Sequence, residues 1–333
     1  MSVAEIEARE IQLNAPAGGL WTDAWSRLRR NPGAITGTFI VLSFVVLAIF
    51  APLIAPYSPK KVNLDALGAS CCPGPSGQHW LGVDQLGRDE LSRIVYGARY
   101  SLVIGLVAVA AGLSIGLLLG AVSGYFGGLT DSIVMRCMDV MLAIPGLLLA
   151  IGVVAALGAG LWQIMIAVGI TNVPVFARLL RGSVLQQREQ DFVLAARSVG
   201  VRKRTILFGH ILPNSMSPLI VGATLAMATA IIDVAGLGFL GLGPQDPGTP
   251  EWGTMLTQVD LYLQSAPFLA IAPGIAIVLL VLGFNLIGDG LREALDPKLR
   301  GRTGKFKAAK DADQEYEDMR SEAFGDESGI LQR

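Results

Sequence analysis

Six apolar stretches alternate with polar segments along the chain, and each is long enough for a membrane-crossing helix. Residues 34–55 carry no charged side chain and can cross a hydrocarbon core of roughly 30 Å as a helix. Five further apolar stretches follow, two of them with one or two charged residues, at 101–124, 133–157, 161–177, 216–236 and 268–288. The pattern therefore predicts an all-α membrane protein with six transmembrane helices.

Composition and the placement of charge support this class and give it an orientation. The chain is 52% hydrophobic and 16% charged, with a mean hydropathy of +0.53. Of its 26 Lys and Arg residues, 20 fall before Gly33, between Arg178 and Arg204, or after Gly290. Because cytoplasmic loops carry an excess of these residues, we expect both termini in the cytoplasm. A net charge of −1 gives no indication of a nucleic-acid partner.

These observations predict an order of segments along the chain. In the head, Leu20, Trp21, Trp25 and Leu28 lie on one face near several arginines, which is typical of a helix lying in the membrane interface. The expected parts are a cytoplasmic head (1–33), the first span (34–55), an extracytoplasmic segment (56–99), a five-helix core (100–290) with a cytoplasmic loop (178–214), and a partly disordered cytoplasmic tail (291–333).

The loop over residues 189–214 is polar and basic but has helical periodicity. Apolar residues recur at helical spacing up to Val199, Gly200 stands where a helix would stop, and a second apolar stripe runs from Val201 to Leu212. The pattern predicts two short amphipathic helices broken at Gly200. We expect this loop, referred to below as the 189–214 loop, to be a docking element.

Motifs that resemble catalytic or nucleotide sites fail on their context. Gly112–Gly116 fits a hydrolase G-x-S-x-G but lies inside an apolar span. Gly236–Gly241 fits G-x-G-x-x-G without the surrounding β-α-β unit, and no phosphate-binding G-x-x-x-x-G-K-[ST] is present in the sequence. Three cysteines give neither a disulfide framework nor a zinc spacing. We expect a non-enzyme without catalytic, cofactor or metal residues, powered by a partner.

Small and charged residues inside the spans are the remaining candidates. Gly112, Gly116, Gly120 and Gly124 share one helix face, which predicts close helix packing. Asp139 lies one turn after Arg136, so a local ion pair is the simpler explanation for it. Asp233 has no basic residue nearby in sequence and is a candidate for the translocation path, with Asp139 as a weaker one.

The 189–214 loop resembles the EAA loop of type I ABC importer permeases. The matching residues are Ala195, Ala196, Gly200 and the Leu212–Asn214 tripeptide LPN. Three further stretches are similar to the C-type permease of the dipeptide, oligopeptide and nickel importer group: HWLGVDQLGRDELSRIVYGARYSL, FLGLGPQDPGTPEWGTML and FNLIGDGLREALDPKLR. One position departs from the pattern, because Leu194 stands where the family usually has Glu.

The resemblance implies a fold, partners and roles for residues. It implies the type I permease fold in a bacterial plasma membrane, a homologous second permease as heterodimer partner, and two cytosolic ATPase subunits or domains that use ATP and Mg. It also implies an extracytoplasmic binding protein and contact with membrane lipid. ATPase coupling would fall on Asp191, Phe192, Ala195, Ala196, Arg197, Gly200, Pro213 and Asn214.

The substrate is the least determined feature. Dipeptides or oligopeptides are favoured by the resemblance, and nickel or another small solute is the alternative. Cys71, Cys72 and His79 are an incomplete coordination set for a metal. An ion-gradient transporter would need more intramembrane carboxylates and an internal repeat, and a channel or structural subunit would not require the paired-helix loop.

Overall fold

The computed structural model describes residues 20–67, 71–257 and 259–295. Within them the chain is helical, and its strand-like pairing is one isolated bridge between Val83 and Asp89. The described residues divide into two compact units, one formed by residues 28–290 and the other by residues 20–27 and 291–295. The expectations for the first 19 residues and for the tail beyond 295 lie outside the described residues.

The described part has nine helices of eight residues or more, as follows: α1 Leu20–Leu28, α2 Pro32–Ile49, α3 Glu90–Phe126, α4 Gly128–Ala143, α5 Gly146–Leu157, α6 Leu161–Arg188, α7 Asp191–Ser198, α8 Met216–Leu237 and α9 Phe268–Leu295. Shorter helical pieces are Ala51–Ile54, Leu64–Leu67, Lys203–Thr205, Ile206–Ile211, Leu212–Asn214, Gly238–Leu242, Trp252–Met255 and Val259–Tyr262. Five helices are long and apolar enough to cross a membrane, and α4 with α5 makes six if that bent pair is one span.

The third span differs from the sequence prediction of one helix over residues 133–157. The structure has two helices there, α4 and α5, which meet at an angle of 95°. Proline disfavours the helical conformation of the residue before it, and Ile144, before Pro145, is extended with φ −95° and ψ 129°. The bend therefore has a local cause that hydropathy alone does not register.

Helix α3 is longer than the apolar stretch from which its span was predicted. Its 37 residues extend about 55 Å at 1.5 Å per residue, against a hydrocarbon core of roughly 30 Å. The helix begins early because the Asp89 side chain accepts a hydrogen bond from Ser92 N at 2.8 Å. Its first turns therefore stand outside the membrane. Helix α6 likewise extends past residue 177, to Arg188.

Helices α3 and α6 approach each other along a glycine face. A Cβ added at Gly112, Gly116 or Gly120 would lie 2.5 to 2.6 Å from atoms of α6, and one at Gly124 would lie 3.0 Å from Val184 Cβ. Such distances leave no room for a side chain, so the absence of one lets the two backbones come close. This contact is the centre around which the other spans pack.

Two apolar clusters hold unit 28–290 together. The larger joins α3, α6, α8 and the 189–214 loop, with buried members that include Ile104, Phe176, Leu180, Val193, Ile206 and Val234. The smaller joins α2, α3 and α9 around Trp252, whose ring meets Phe44 edge-on at 5.5 Å. The 189–214 loop is thus part of the main core and not an appendage to it.

Candidate functional site

The first half of the 189–214 loop is the short helix α7. Asp191 lies in its first turn, where a negative charge is favourable for the helix dipole. The helix stops at Gly200, whose φ of +76° is a conformation that glycine adopts readily. Gly200 N donates to Arg197 O at 3.0 Å, and Val201 N donates to Ala196 O at 3.0 Å. The predicted helix and its break are both present.

The second half of the 189–214 loop is a series of short helical segments with a wider, π-helical turn before Pro213. It runs through Lys203–Thr205, the π-helical turn Ile206–Ile211 and Leu212–Asn214. Pro213 has no N–H to donate to the preceding turn, and wider turns of this kind accommodate such a loss. The Asn214 side chain donates to His210 O at 2.7 Å. Pro213 and Asn214 therefore determine how this segment enters α8.

The inward face of the loop is buried in the main core. Val193 and Ile211 have no exposed surface, and Ile206 and Leu207 are 1% and 3% exposed. They belong to the same cluster as Val184 of α6 and other buried residues of α3 and α8. Because packed interiors deform little, the inward face of the loop and the ends of the spans are held together as one packed contact.

The outward face of the loop is apolar and cationic. Phe192, Leu194 and Val199 are 39%, 51% and 79% exposed. Ala195 is also exposed and Ala196 is half-buried. Four exposed cations surround them, and in the part of the chain that the structure describes none of the four forms an ion pair: Arg197, Arg202, Lys203 and Arg204. Leu194, at the position where the resemblance to the EAA loop implies Glu, makes this face more apolar.

Asp139 is paired, but with a residue that the sequence did not suggest. Its Oδ1 lies 2.5 Å from Arg178 Nη2, and both side chains are half exposed. The predicted partner was Arg136, one turn away on the same helix. Arg178 belongs to α6 instead, so the ion pair ties α4 to α6. Asp131 and Arg181 form a second such tie, at 2.6 Å.

Asp233 lies on α8 near its end and is half-buried. In the described residues its carboxylate has no hydrogen-bond or ion-pair partner. Within the described residues no hydrogen bond or ion pair joins Asp233 to Asp139, so the two carboxylates do not form a single site.

A group of buried ionisable side chains in segment 56–99 was not identified as a site from the sequence. It comprises Asp84, Arg88, Arg93, His79 and Asp89, and is called the paired cluster below. Asp84 Oδ2 lies 2.6 Å from Arg88 Nη2 and 3.4 Å from Arg93 Nε. His79 Nδ1 lies 2.8 Å from Asp89 Oδ1. All five residues are buried, and the signal that could have revealed them is the density of charge in VDQLGRDELSR.

The paired cluster is joined to the loop between α8 and α9. Arg88 donates to Pro247 O, and Trp252 Nε1 donates to Ile94 O at 3.1 Å. Glu251, fully buried, accepts from Gly253 N and Thr254 N at 2.8 Å each. Burial raises the pKa of the Glu251 carboxyl to about 7. These contacts fix two distant loops as one unit.

Metal-ligating residues are not assembled in the described part of the chain. No group of three or more His, Cys, Asp or Glu side chains there could hold an ion. The sulfur atoms of Cys71 and Cys72 are bonded to each other, and His79 is engaged with Asp89. Cys71, Cys72 and His79, the incomplete metal-coordination set noted in the sequence, are therefore all engaged with other residues of the protein.

Comparison with known proteins gives matches over nearly the whole described chain. Residues 116–301 match the binding-protein-dependent transport system inner membrane component, and residues 19–69 match the N-terminal TM domain of oligopeptide transport permease C. The dipeptide transport system permease protein DppC of Alkalihalophilus pseudofirmus is 49% identical over 280 residues, which is 84% of this chain and 90% of that protein.

Two further similarities agree with this match. The glutathione transport system permease protein GsiD of Escherichia coli is 49% identical over 282 residues, covering 84% of this chain and 91% of its own length. A solved structure of the MetNI methionine ABC transporter, in an inward-facing conformation, shares the fold at 20% identity with a TM-score of 0.51. It covers 61% of this chain and 96% of the matched chain.

Family membership explains the absence of a phosphate-binding loop in the sequence, because permeases of this kind work with ATPase and substrate-binding partners. The chain is a multi-pass membrane component of a transport system and not an enzyme. It belongs to the binding-protein-dependent transport system inner membrane component family, as a C-type permease of the dipeptide, oligopeptide and nickel ABC importer group.

Proposed function

We propose that this chain forms one half of a heterodimeric permease that moves dipeptides or other short peptides into the bacterial cytoplasm. The observation that carries the substrate class is the 49% identity to permeases named for dipeptide and glutathione transport. Both names denote short peptides, which favours peptides over nickel. The partner is a homologous second permease, and two ATPase subunits or domains supply ATP hydrolysis with Mg.

In this proposal the 189–214 loop receives the movement of the ATPase. Its outward face offers exposed Phe192, Leu194 and Ala195, and its inward face is anchored in the core by Val193. A short helix fixed to two spans can pass on a rigid-body displacement. Gly200 supplies the turn, while the remaining coupling residues set the contact or the path into α8: Asp191, Ala196, Arg197, Pro213 and Asn214.

The orientation follows from charge. Six spans bring both termini to one side, and the excess of Lys and Arg in the head, the 189–214 loop and the tail assigns that side to the cytoplasm. The paired cluster and the α8–α9 loop then face outward. There they are suited to meet the extracytoplasmic binding protein that delivers the peptide.

We assign Asp233 to the translocation path. A carboxylate in a span is costly unless it meets a partner or water, and Asp233 has no partner in the described residues. A peptide's ammonium group would be such a partner in transit. Asp139 is a weaker candidate because Arg178 already neutralises it.

The substrate proposal is tested with the complete transporter in proteoliposomes. We expect ATP-dependent uptake of labelled dipeptides that excess unlabelled dipeptide suppresses and Ni²⁺ does not. Co-purification of the second permease and of an ATPase is expected from the same membranes. ATP-independent uptake driven by an ion gradient would overturn the proposal, as would uptake of nickel in place of peptide.

The role of Asp233 is tested separately, by Asp233→Asn, with Asp139→Asn measured beside it as the weaker candidate. We expect Asp233→Asn to lower the rate of dipeptide uptake about tenfold, the effect of roughly 1.4 kcal/mol on a transport barrier. Asp139→Asn should change it by no more than about twofold, because Arg178 already neutralises Asp139. Normal uptake of several dipeptides by Asp233→Asn removes this residue from the path.

A further inference from the structure

A cavity lies where α3 and α6 end and the 189–214 loop begins. Its volume is about 420 Å³, within the range typical of small-ligand sites. Tyr125 and Phe126, the last residues of α3, form one side. Arg188 closes α6, and Arg197, Lys203 and Ile206 come from the loop. The apolar helix α3 ends beside the cavity.

Arg188, which lines the cavity, is only partly satisfied by contacts within the protein. The Nε of Arg188 is buried and has no hydrogen-bond partner in the described residues. Its Nη1 donates to Tyr125 O at 3.2 Å, and Glu189 Oε1 lies 3.5 Å from Nε on a side chain that is 75% exposed. Because exposed ion pairs are weak, an external anion can compete with Glu189 for the Arg188 guanidinium.

The residues that line the cavity include several cations and an apolar part. Arg188, Arg197 and Lys203 contribute three positive charges, and among the described residues no carboxylate lines the cavity. Phe126 is 57% exposed, whereas Ile206 is buried, so an apolar surface adjoins the cations. A ligand that matches both features has an anionic head and an apolar tail.

A phosphate group fits the cationic side better than a carboxylate does. Guanidinium groups bind phosphate oxygens through paired N–H donors, and lysine adds a mobile point charge. Clusters of Lys and Arg next to a span attract anionic lipids of the adjacent leaflet. An anionic phospholipid supplies both a phosphate for the cations and an acyl chain for exposed Phe126.

We propose that this cavity binds the phosphate head group of an anionic phospholipid, taken from the leaflet next to the 189–214 loop. The bound phosphate bridges Arg188 at the end of α6 to Arg197 and Lys203 of the loop. It thereby stiffens the connection between the loop and the spans. The site itself does not depend on which peptide the transporter carries, and only its effect on coupling rests on the proposed function.

The test compares two adjacent lysine and arginine positions in the complete transporter. Lys203 lines the cavity, whereas Arg204, equally exposed, does not. The complex is reconstituted in nanodiscs of phosphatidylglycerol and phosphatidylcholine, extracted in detergent, and its retained lipid is counted by native mass spectrometry. We expect Lys203→Gln to lower phosphatidylglycerol retention about fivefold. Arg204→Gln should retain the wild-type amount.

Two further measurements identify the source of the bound phosphate and control for misfolding of the variants. Glycerol 3-phosphate at millimolar concentration should not displace the lipid, because it lacks the acyl chain. Arg188→Lys keeps the charge and is expected to retain more lipid than Arg188→Gln, with both variants assembled to the wild-type level. Equal loss in Lys203→Gln and Arg204→Gln would overturn the site, and full displacement by glycerol 3-phosphate would overturn the lipid as its ligand. Lipid retention is read without transport, so failure of the peptide proposal leaves this result unaffected.

Discussion

The paired cluster and the 189–214 loop are both rich in charge, yet they use it in opposite ways. In the paired cluster every charge is buried and has a partner within the chain, as in Asp84 with Arg88 and Arg93. In the loop, Arg202 and Arg204 are exposed, and within the described residues neither has an ion-pair partner. The two regions therefore differ in whether their charged side chains are paired, and not in how many charged side chains they have.

The difference indicates what each region is for. Charges that satisfy one another inside the protein position the segments that carry them, here segment 56–99 and the α8–α9 loop. Charges left in solvent beside exposed apolar residues are available to something outside the chain. The paired cluster is thus an internal brace, and the loop is a surface for a partner.

The largest effect is expected from breaking the brace. In Asp84→Ala, Arg88 and Arg93 lose their shared carboxylate while remaining buried, and leaving one partner of a buried pair uncompensated typically costs about 3–5 kcal/mol. We expect little mature protein in the membrane and a lowered melting temperature in detergent for what remains. The measurement is thermal unfolding of the purified permease with its partners.

The control for this prediction is the exposed pair between Lys60 and Asp246, whose atoms lie 2.9 Å apart. Both side chains are more than half exposed, and such pairs contribute little to stability. Asp246→Ala should therefore melt like wild type. If Asp246→Ala and Asp84→Ala behave alike, the distinction between buried and exposed pairs does not hold.

A smaller effect should come from Glu251, which is buried without a cation nearby. Burial raises the pKa of its carboxyl to about 7, from 4.5, so the folded state favours the protonated form. This preference stabilises the folded state by on the order of 1–3 kcal/mol below pH 4.5. The stabilisation is lost as pH rises through about 7. Glu251→Gln keeps the neutral form at every pH.

We therefore expect the melting temperature of wild type to fall between pH 5 and pH 8 more steeply than that of Glu251→Gln. Differential scanning fluorimetry in detergent over this range makes the comparison. Parallel pH profiles for the two proteins would show that Glu251 does not titrate in this window.

The smallest effect on stability should come from the loop itself. Arg202 is exposed, and in the described part of the chain it has no ion-pair partner, so Arg202→Gln should change the free energy of unfolding by less than about 0.5 kcal/mol. Thermal unfolding checks this. A loss as large as that of Asp84→Ala would mean that the loop is a brace as well.

Much of the fold could be predicted because hydropathy and helix signals act locally. The apolar lengths located the spans, Gly200 marked the end of α7, and the glycine repeat lies against α6 in the structure. The prediction of one helix for the third span was wrong, because the conformation of Ile144 depends on Pro145 and not on hydrophobicity. The early start of α3 was missed because the Asp89 cap lies outside the apolar stretch.

The sites were harder to predict because they depend on contacts between residues far apart in sequence. Asp139 pairs with Arg178, 39 residues away, although a nearer arginine was available. Trp252 reaches Ile94 across 158 residues. Periodicity shows which face of a helix is apolar, but not which neighbour fills it.

The central claim is that the 189–214 loop couples the spans to an ATPase through its outward face. Ala195 is exposed on α7, so Ala195→Trp should fold and assemble normally while obstructing that contact. The measurement is the number of dipeptides transported per ATP hydrolysed in proteoliposomes, with Ala195→Ser, which adds little volume at the same position, as control. We predict a fall of about tenfold, equivalent to roughly 1.4 kcal/mol of lost coupling, with ATPase activity retained or no longer responsive to substrate. A wild-type ratio for Ala195→Trp at equal assembly would contradict the claim.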